Sequence, residues 1–243
     1  MVTFSLIMLL SLCSWAAEID ESMVLYLPFD EGKGKDTKDM SIYGHEANLV
    51  NDPEWVDGKT GKALEFDGGN YVMIPITDEL QLSEIFTVNF WVMKAGQQPA
   101  EWNYMVAGGT LKWAVSLNAD QKVYVYTEDP AWSNALISDE TLPDEWTHIA
   151  MIHDTDEAVE IYFNGELAGT GLRPAPVNPS DGSIMVGARN PGQEFFAGTI
   201  DEVALYNRAL TIDEIKRDME AVGGAAVSNS GKLASTWANI KSK

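Results

Sequence analysis

Carboxylates at alternate positions on an extended chain are the first feature of this sequence that could do chemistry. A retaining glycoside hydrolase needs two of them about 5 Å apart across the scissile bond. The pattern Glu-x-Asp-x-(x)-Glu on one strand supplies them, because alternation turns all three side chains to one face. Two stretches imitate it, Glu18-Ile19-Asp20-Glu21 and Thr199-Ile200-Asp201-Glu202-Val203. The first precedes every strand signal, so nothing would hold it rigid. In the second, Thr199 stands where the nucleophile belongs and Ala204-Leu205 where the acid should follow. Neither meets the requirement. Of the histidines, His45 lies in a glycine-flanked loop, while His148 and His153 are five apart on one strand and point to opposite faces. His148 reads as structural, its ring bonded to neighbouring backbone. The chain has no His-Glu-x-x-His, no Cys-rich metal spacing, no Gly-rich phosphate loop and no serine in a nucleophile elbow. The sequence predicts a protein that is not an enzyme.

Two other chemistries remain. Sugar rings present apolar CH faces that stack on aromatic rings, and their hydroxyls want carboxylates and amides nearby. Trp102 and Tyr104 follow a Gly-Gln-Gln-Pro loop, and Trp132 sits between Asp129 and Asn134. These five, Trp102, Tyr104, Asp129, Trp132 and Asn134, are the candidate ligand-binding residues; the rival reading makes the two loop tryptophans lids over the core edge. Trp55, Trp91 and Trp146 are assigned to packing. The second chemistry is cation binding. Acidic residues number 37 against 16 basic, a net charge of −21, and Ca²⁺ takes oxygen ligands from carboxylates and carbonyls. The same charge repels polyanions, so nucleic acid is excluded as a partner.

The elements that must position these residues are mostly strands. Apolar side chains make up 45% of the 243 residues and charged ones 22%, a globular balance. Residues 1–17 read as a secretory signal. No charge appears from Val2 to Ala17, the apolar run Phe4 to Leu12 is shorter than the roughly 20 residues of a membrane span, and Ser14-Trp15-Ala16 suits a signal peptidase. An uncleaved anchor is the rival. Cleavage would remove Cys13, the chain's one cysteine, leaving stability to burial. The expected location is secreted or at the cell surface, with no integral membrane span after cleavage.

From Ser22 onward the dominant period is two. Phe86, Val88, Phe90 and Val92 share one face and Thr87 and Asn89 the other. Further strands are expected over Met23–Phe29, Leu111–Leu117, Lys122–Thr127, Trp146–His153 and Ala158–Phe163. Asn164-Gly165 marks a type I′ hairpin. One helix is signalled, with Thr211 and Glu214 spaced as a capping box and Ile212, Ile215 and Met219 on one face. The fold expected over residues 22–219 is all-β, a two-sheet antiparallel jelly-roll sandwich with one short C-terminal helix. Residues 220–243 read as a flexible tail, in which Leu233, Trp237 and Ile240 offer a docking turn as the alternative.

Several blocks then resemble a known family. Leu25-Tyr26-Leu27-Pro28-Phe29-Asp30-Glu31-Gly32 is similar to the opening strand of the laminin G-like, concanavalin A-like jelly-roll domains of bacterial secreted proteins. Asp39 to Leu49 resembles their D-x-S-G-N-G-H-x-G-x-L loop, departing at Ile42-Tyr43 and at Ala47, where glycine is usual. Gly61 to Gly68, Tyr71 to Pro75, Phe86 to Val92, Trp146 to Ala150, Tyr162 to Gly165 and Gly198 to Thr211 follow in family order. The resemblance spans roughly Met23 to Met219. It implies a sandwich that binds glycan or protein and is usually not catalytic. It also implies a structural Ca²⁺ where first and last strands meet, with Asp30 and Asp201 at the matching places and Asp67 and Gly69 adding a carboxylate or carbonyls. Laminarinase-type hydrolases share the fold, but the incomplete carboxylate set puts that reading last. The expected function is a non-catalytic secreted or surface module recognising carbohydrate or an extracellular protein; the alternative is a calcium-stabilised adhesion protein with no glycan site.

Overall fold

A computed structural model of the chain describes residues 20–127, 134–178, 182–189 and 193–220. The signal reading over 1–17 and the tail from 221 lie outside the described residues. Among those described, the strands form two antiparallel sheets of eight.

The first sheet is organised by its longest strands. Numbered along the chain, it runs β14 (Glu166–Thr170), β13 (Val159–Phe163), β12 (Thr147–Asp154), β7 (Ile85–Lys94), β16 (Ala197–Tyr206), β5 (Lys62–Asp67) and β4 (Glu54–Asp57). The eighth strand, β1 (Met23–Leu27), lies end to end with β5 on the same edge of β16, pairing with residues 203–206 while β5 pairs with 197–200. The second sheet runs β11 (Asn134–Thr141), β10 (Lys122–Thr127), β9 (Trp113–Asn118), β8 (Trp102–Gly108), β15 (Ser183–Val186), β6 (Tyr71–Pro75), β3 (Glu46–Val50) and β2 (Asp36–Lys38). Apolar side chains at every second position of both sheets meet in one core. Phe86, Val88, Phe90 and Val92 are fully buried in it, and Phe86 reaches across to Trp113 with ring centroids 5.5 Å apart. Such alternation fixes register, since a one-residue slip would turn every one of these groups to the wrong face.

The hairpin and the helix follow their local signals. Asn164 and Gly165 adopt φ of 49° and 75°, the positive pair that a type I′ turn requires. At the helix α1 (Ile212–Glu220), Glu214 N–H donates to Thr211 Oγ1 and Thr211 N–H donates to Glu214 Oε2, the reciprocal bonds of a capping box. The helix lies on the outer face of the first sheet, where Ile215 packs with Tyr26, Ala150, Ile152, Ala204 and Tyr206. That packing buries Thr87 and Asn89, which alternation had turned away from the core. They remain satisfied: Thr87 Oγ1 accepts Leu210 N–H at 3.0 Å and Asn89 donates to Asp218 at 3.1 Å.

His148 corrects one expectation. It is buried against Trp91, yet its ring Nδ1 has no partner; it is the backbone N–H that donates to Asn164 Oδ1. Burial holds the imidazole neutral, with its pKa pushed down to about 3. The ring bonded to backbone is that of His153, whose Nδ1 lies 3.0 Å from the Glu84 carbonyl.

Candidate functional site

The outward residues of β8, β9 and β10 pack into a cluster of their own, apart from the main core. On β9 they are small, Ala114 and Ser116; on β8 and β10 they are Trp102, Tyr104, Tyr124 and Tyr126. Register places Tyr104 and Tyr124 on either side of Ser116, and Tyr126 opposite Ala114. Rings from the flanking strands therefore lean together over the small residues between them. Trp102 meets Tyr124 edge to face at 5.2 Å and Tyr126 at 5.6 Å, and Tyr104 stacks with Tyr126 at 6.2 Å. Tyr104 is buried, while Trp102, Tyr124 and Tyr126 are half-buried and present their remaining surface to solvent.

A charged pair borders this wall. Tyr104 N–H donates to the Glu194 carbonyl, which ties the segment between β15 and β16 to the face. From that segment Arg189 sits over the Tyr104 ring at 5.6 Å and pairs with Glu194 at 2.9 Å. Burial, with Tyr104 and Glu194 nearby, pushes the Tyr126 phenol up to about 12; burial also raises Tyr104, and a bond to Asp120 raises Tyr124. The three phenols stay protonated at any physiological pH; the Tyr124 hydroxyl is given to Asp120, which leaves those of Tyr104 and Tyr126 to donate to a bound hydroxyl.

Of the five ligand-binding residues expected from sequence, the fold brings Trp102 and Tyr104 together on β8. They belong to a strand rather than to a loop, because β8 is hydrogen-bonded on both edges, by β9 and β15. Asp129 and Trp132 lie outside the described residues; Asn134 begins β11, and its backbone pairs with Tyr126. Sequence reasoning missed Tyr124, Tyr126, Arg189 and Glu194. The first two carried a signal, since tyrosines two apart in an expected strand must share a face.

The expected cation ligands are split. Between Asp201 and Ala204 the register of β16 on β7 slips by one residue, a bulge with Glu202 at φ 53°. The bulge falls where β5 and β1 abut and turns Asp201 into a sealed corner. Its Oδ1 accepts Glu202 N–H at 2.9 Å and its Oδ2 accepts Thr60 N–H at 3.2 Å. Gly58 closes the corner, leaving no space for a Cβ, which would lie 2.6 Å from Asp201 Oδ2. Asp30 is close enough for its charge to act on Asp201, and accepts Lys62 N–H at 3.0 Å. Burial first, then the charges of Glu202 and Asp30, push the Asp201 carboxyl up to about 8. Asp67 is elsewhere: five residues along β5 from Lys62, roughly 16 Å at about 3.3 Å per residue, its Oδ1 accepts Gly69 N–H in a tight turn. Asp30, Asp67, Gly69 and Asp201 are therefore not one site. Among the described residues no three acidic or histidine side chains are grouped to hold a metal, whereas Ca²⁺ takes six to eight oxygens. The corner does not fit that ion.

Comparison with known proteins agrees with this architecture. The sequence model of the concanavalin A-like lectin/glucanases superfamily matches residues 66–216. No curated protein sequence matches the chain. Among solved structures, domain 4 of AbnA, an extracellular arabinanase from Geobacillus stearothermophilus solved with arabinotriose, superposes at TM-score 0.65 and 22% identity, covering 80% of this chain and 97% of that one. The binding domain of Paraclostridial Mosquitocidal Protein 1 gives 0.65 at 16% identity, covering 84% of this chain and 53% of that one. A Trypanosoma rangeli sialidase gives 0.61 at 19%, covering 80% of this chain and 32% of that one. The chain thus spans about half of the toxin domain and a third of the sialidase.

Proposed function

The chain belongs to the concanavalin A-like lectin/glucanase superfamily, and from that premise we propose a non-catalytic, secreted or surface module that binds carbohydrate on the outer face of its second sheet. One observation carries this reading: the wall of Trp102, Tyr104, Tyr124 and Tyr126, bordered by Arg189 and Glu194. Half-buried rings offer flat apolar surface to sugar CH groups at small entropic cost, and the phenols and the ion pair offer hydrogen bonds. The arabinotriose complex of the arabinanase domain favours carbohydrate as the ligand. Protein recognition is the second reading, favoured by Ile137, which is 40% exposed and paired beside Tyr124.

The absence of catalysis is inferred from the carboxylates. Asp20 is paired with Arg208, Asp201 is sealed, and Glu202 takes a hydrogen bond from Tyr26. All three belong to the first sheet and its borders, on the far side of the core from the aromatic wall. Location outside the cytoplasm rests on the apolar leader, and intact mass of protein recovered from the medium checks it. A first residue near Ala17 or Glu18 is expected; retention of Met1 would refute it.

Binding to immobilised polysaccharides is expected to fall at least tenfold in Trp102→Ala, about 1.4 kcal/mol or more. Circular dichroism should remain that of the wild type, because Trp102 lies outside the main core. Affinity unchanged in a folded Trp102→Ala would move the site off this face.

A further inference from the structure

We propose that the ligand of this face is an uncharged glycan, one without carboxylate, sulfate or amino groups; this rests on the carbohydrate reading above. An anionic sugar needs a cation whose charge is unspent, as bidentate recognition by arginine requires. Two described cations stand on or beside these rings: Arg189 is already paired with Glu194, and Lys122, the outward residue of β10 next to Tyr124, gives its Nζ to the Asp139 carbonyl at 3.0 Å. A second acid, Asp120, borders the wall through its bond from the Tyr124 hydroxyl. With a net charge of −21 on the chain, the overall field opposes the approach of a polyanion to this face.

A cationic sugar fails for a different reason. Aromatic residues hold a cation when their faces surround a space that it can enter. Here Trp102 and Tyr124 stand at 86° with centroids 5.2 Å apart, so the edge of one ring fills the face of the other. Ala114 and Ser116 beneath them are fully buried, which shows that the rings lie directly on the strand and leave no cage. The Tyr104 ring is taken by the chain's own guanidinium. What remains outward is flat apolar ring surface and protonated phenols. These match the CH faces and hydroxyls of a neutral sugar and carry no net charge to select for another.

The test reads Trp102-dependent binding, the difference between wild type and Trp102→Ala, on glycans of three charge classes. Arabinan, xylan and mixed-linkage β-glucan are neutral, polygalacturonate and heparin anionic, and chitosan cationic. Binding confined to neutral glycans, and changing less than about twofold between about 50 and about 500 mM sodium chloride, is expected, because no ion pair is made for salt to screen. Trp102-dependent binding to polygalacturonate, heparin or chitosan that falls as salt rises would overturn neutrality while leaving the carbohydrate reading in place. Trp102-dependent binding to none of the six would overturn both.

Discussion

Replacing Asp39 by alanine is expected to lower stability by about 3–4 kcal/mol, although the residue touches neither sheet's core. The carboxylate is 8% exposed and accepts four hydrogen bonds. Its Oδ1 takes Tyr26 N–H and Ser41 N–H, both at 2.9 Å; its Oδ2 takes Ser41 Oγ–H at 2.8 Å and His45 N–H at 2.9 Å. Tyr26 belongs to β1, so this one side chain folds the loop from Asp39 to His45 and fastens it to the first strand. Bonds to an ionised acceptor each contribute about 1.5–3 kcal/mol, and stranding their donors adds the cost of desolvated groups. For a domain of this size, roughly 2–4 °C accompanies each kcal/mol, so the melting midpoint should drop by about 8–12 °C. Asp39→Asn keeps one acceptor oxygen and should lose about half as much. A midpoint in Asp39→Ala within about 2 °C of wild type would show that the loop is held some other way.

Asp201→Asn should weaken the protein in mild acid and strengthen it in mild alkali. The folded-state pKa, about 8, lies above the carboxyl's ordinary 3.8. Between those values the folded chain holds a proton that the unfolded chain has released, so wild-type stability declines as pH rises from about 4 to about 8. Each unit is worth about 1.4 kcal/mol. The amide does not titrate, and this decline is absent from the variant. Asparagine also loses the bond from Thr60, because its Nδ2 cannot accept, at a cost of about 1 kcal/mol. The variant should therefore be about 1 kcal/mol less stable than wild type at pH 5 and about 3 kcal/mol more stable at pH 8. Other titrating groups, Asp218 among them, are common to both proteins and cancel in the difference. Denaturant melts at the two pH values, in EDTA and with calcium against sodium of equal ionic strength, check this. No crossing of the two stabilities would contradict the burial argument. A calcium-specific gain in wild type that Asp201→Asn removes would restore a metal to the corner.

Local signals were legible where they depend on neighbours in sequence. Phe86 to Val92 alternate, Asn164-Gly165 must turn, and Thr211 with Glu214 must cap. Each took the expected form, because the physics that decides it lies within a few residues. The block from Asp39 to Leu49 was legible as a pattern but not as a mechanism, since Asp39 acts through Tyr26 thirteen residues earlier. What escaped was decided by register. Trp102 and Tyr104 follow a loop containing Gly96 and Pro99, and nothing in their own segment says that β10 will set Tyr124 and Tyr126 beside them. Arg189 and Glu194 arrive from a segment more distant still. The family resemblance groups Asp67 with Asp201, and the length of β5 keeps them apart.

The central claim, that sugar meets the outer face of β8 and β10, is tested most directly by following tryptophan indole N–H resonances. Among the eight tryptophans of the chain, Trp102 lies on that face, while Trp55, Trp91 and Trp113 lie elsewhere in the sandwich. Titration with arabino-, xylo- and cello-oligosaccharides should shift the Trp102 indole signal and the backbone amides of β8 and β10, leaving Trp55, Trp91 and Trp113 in place. Shifts centred on Trp91 or Trp55 with Trp102 unmoved would put the ligand on the first sheet and contradict the account.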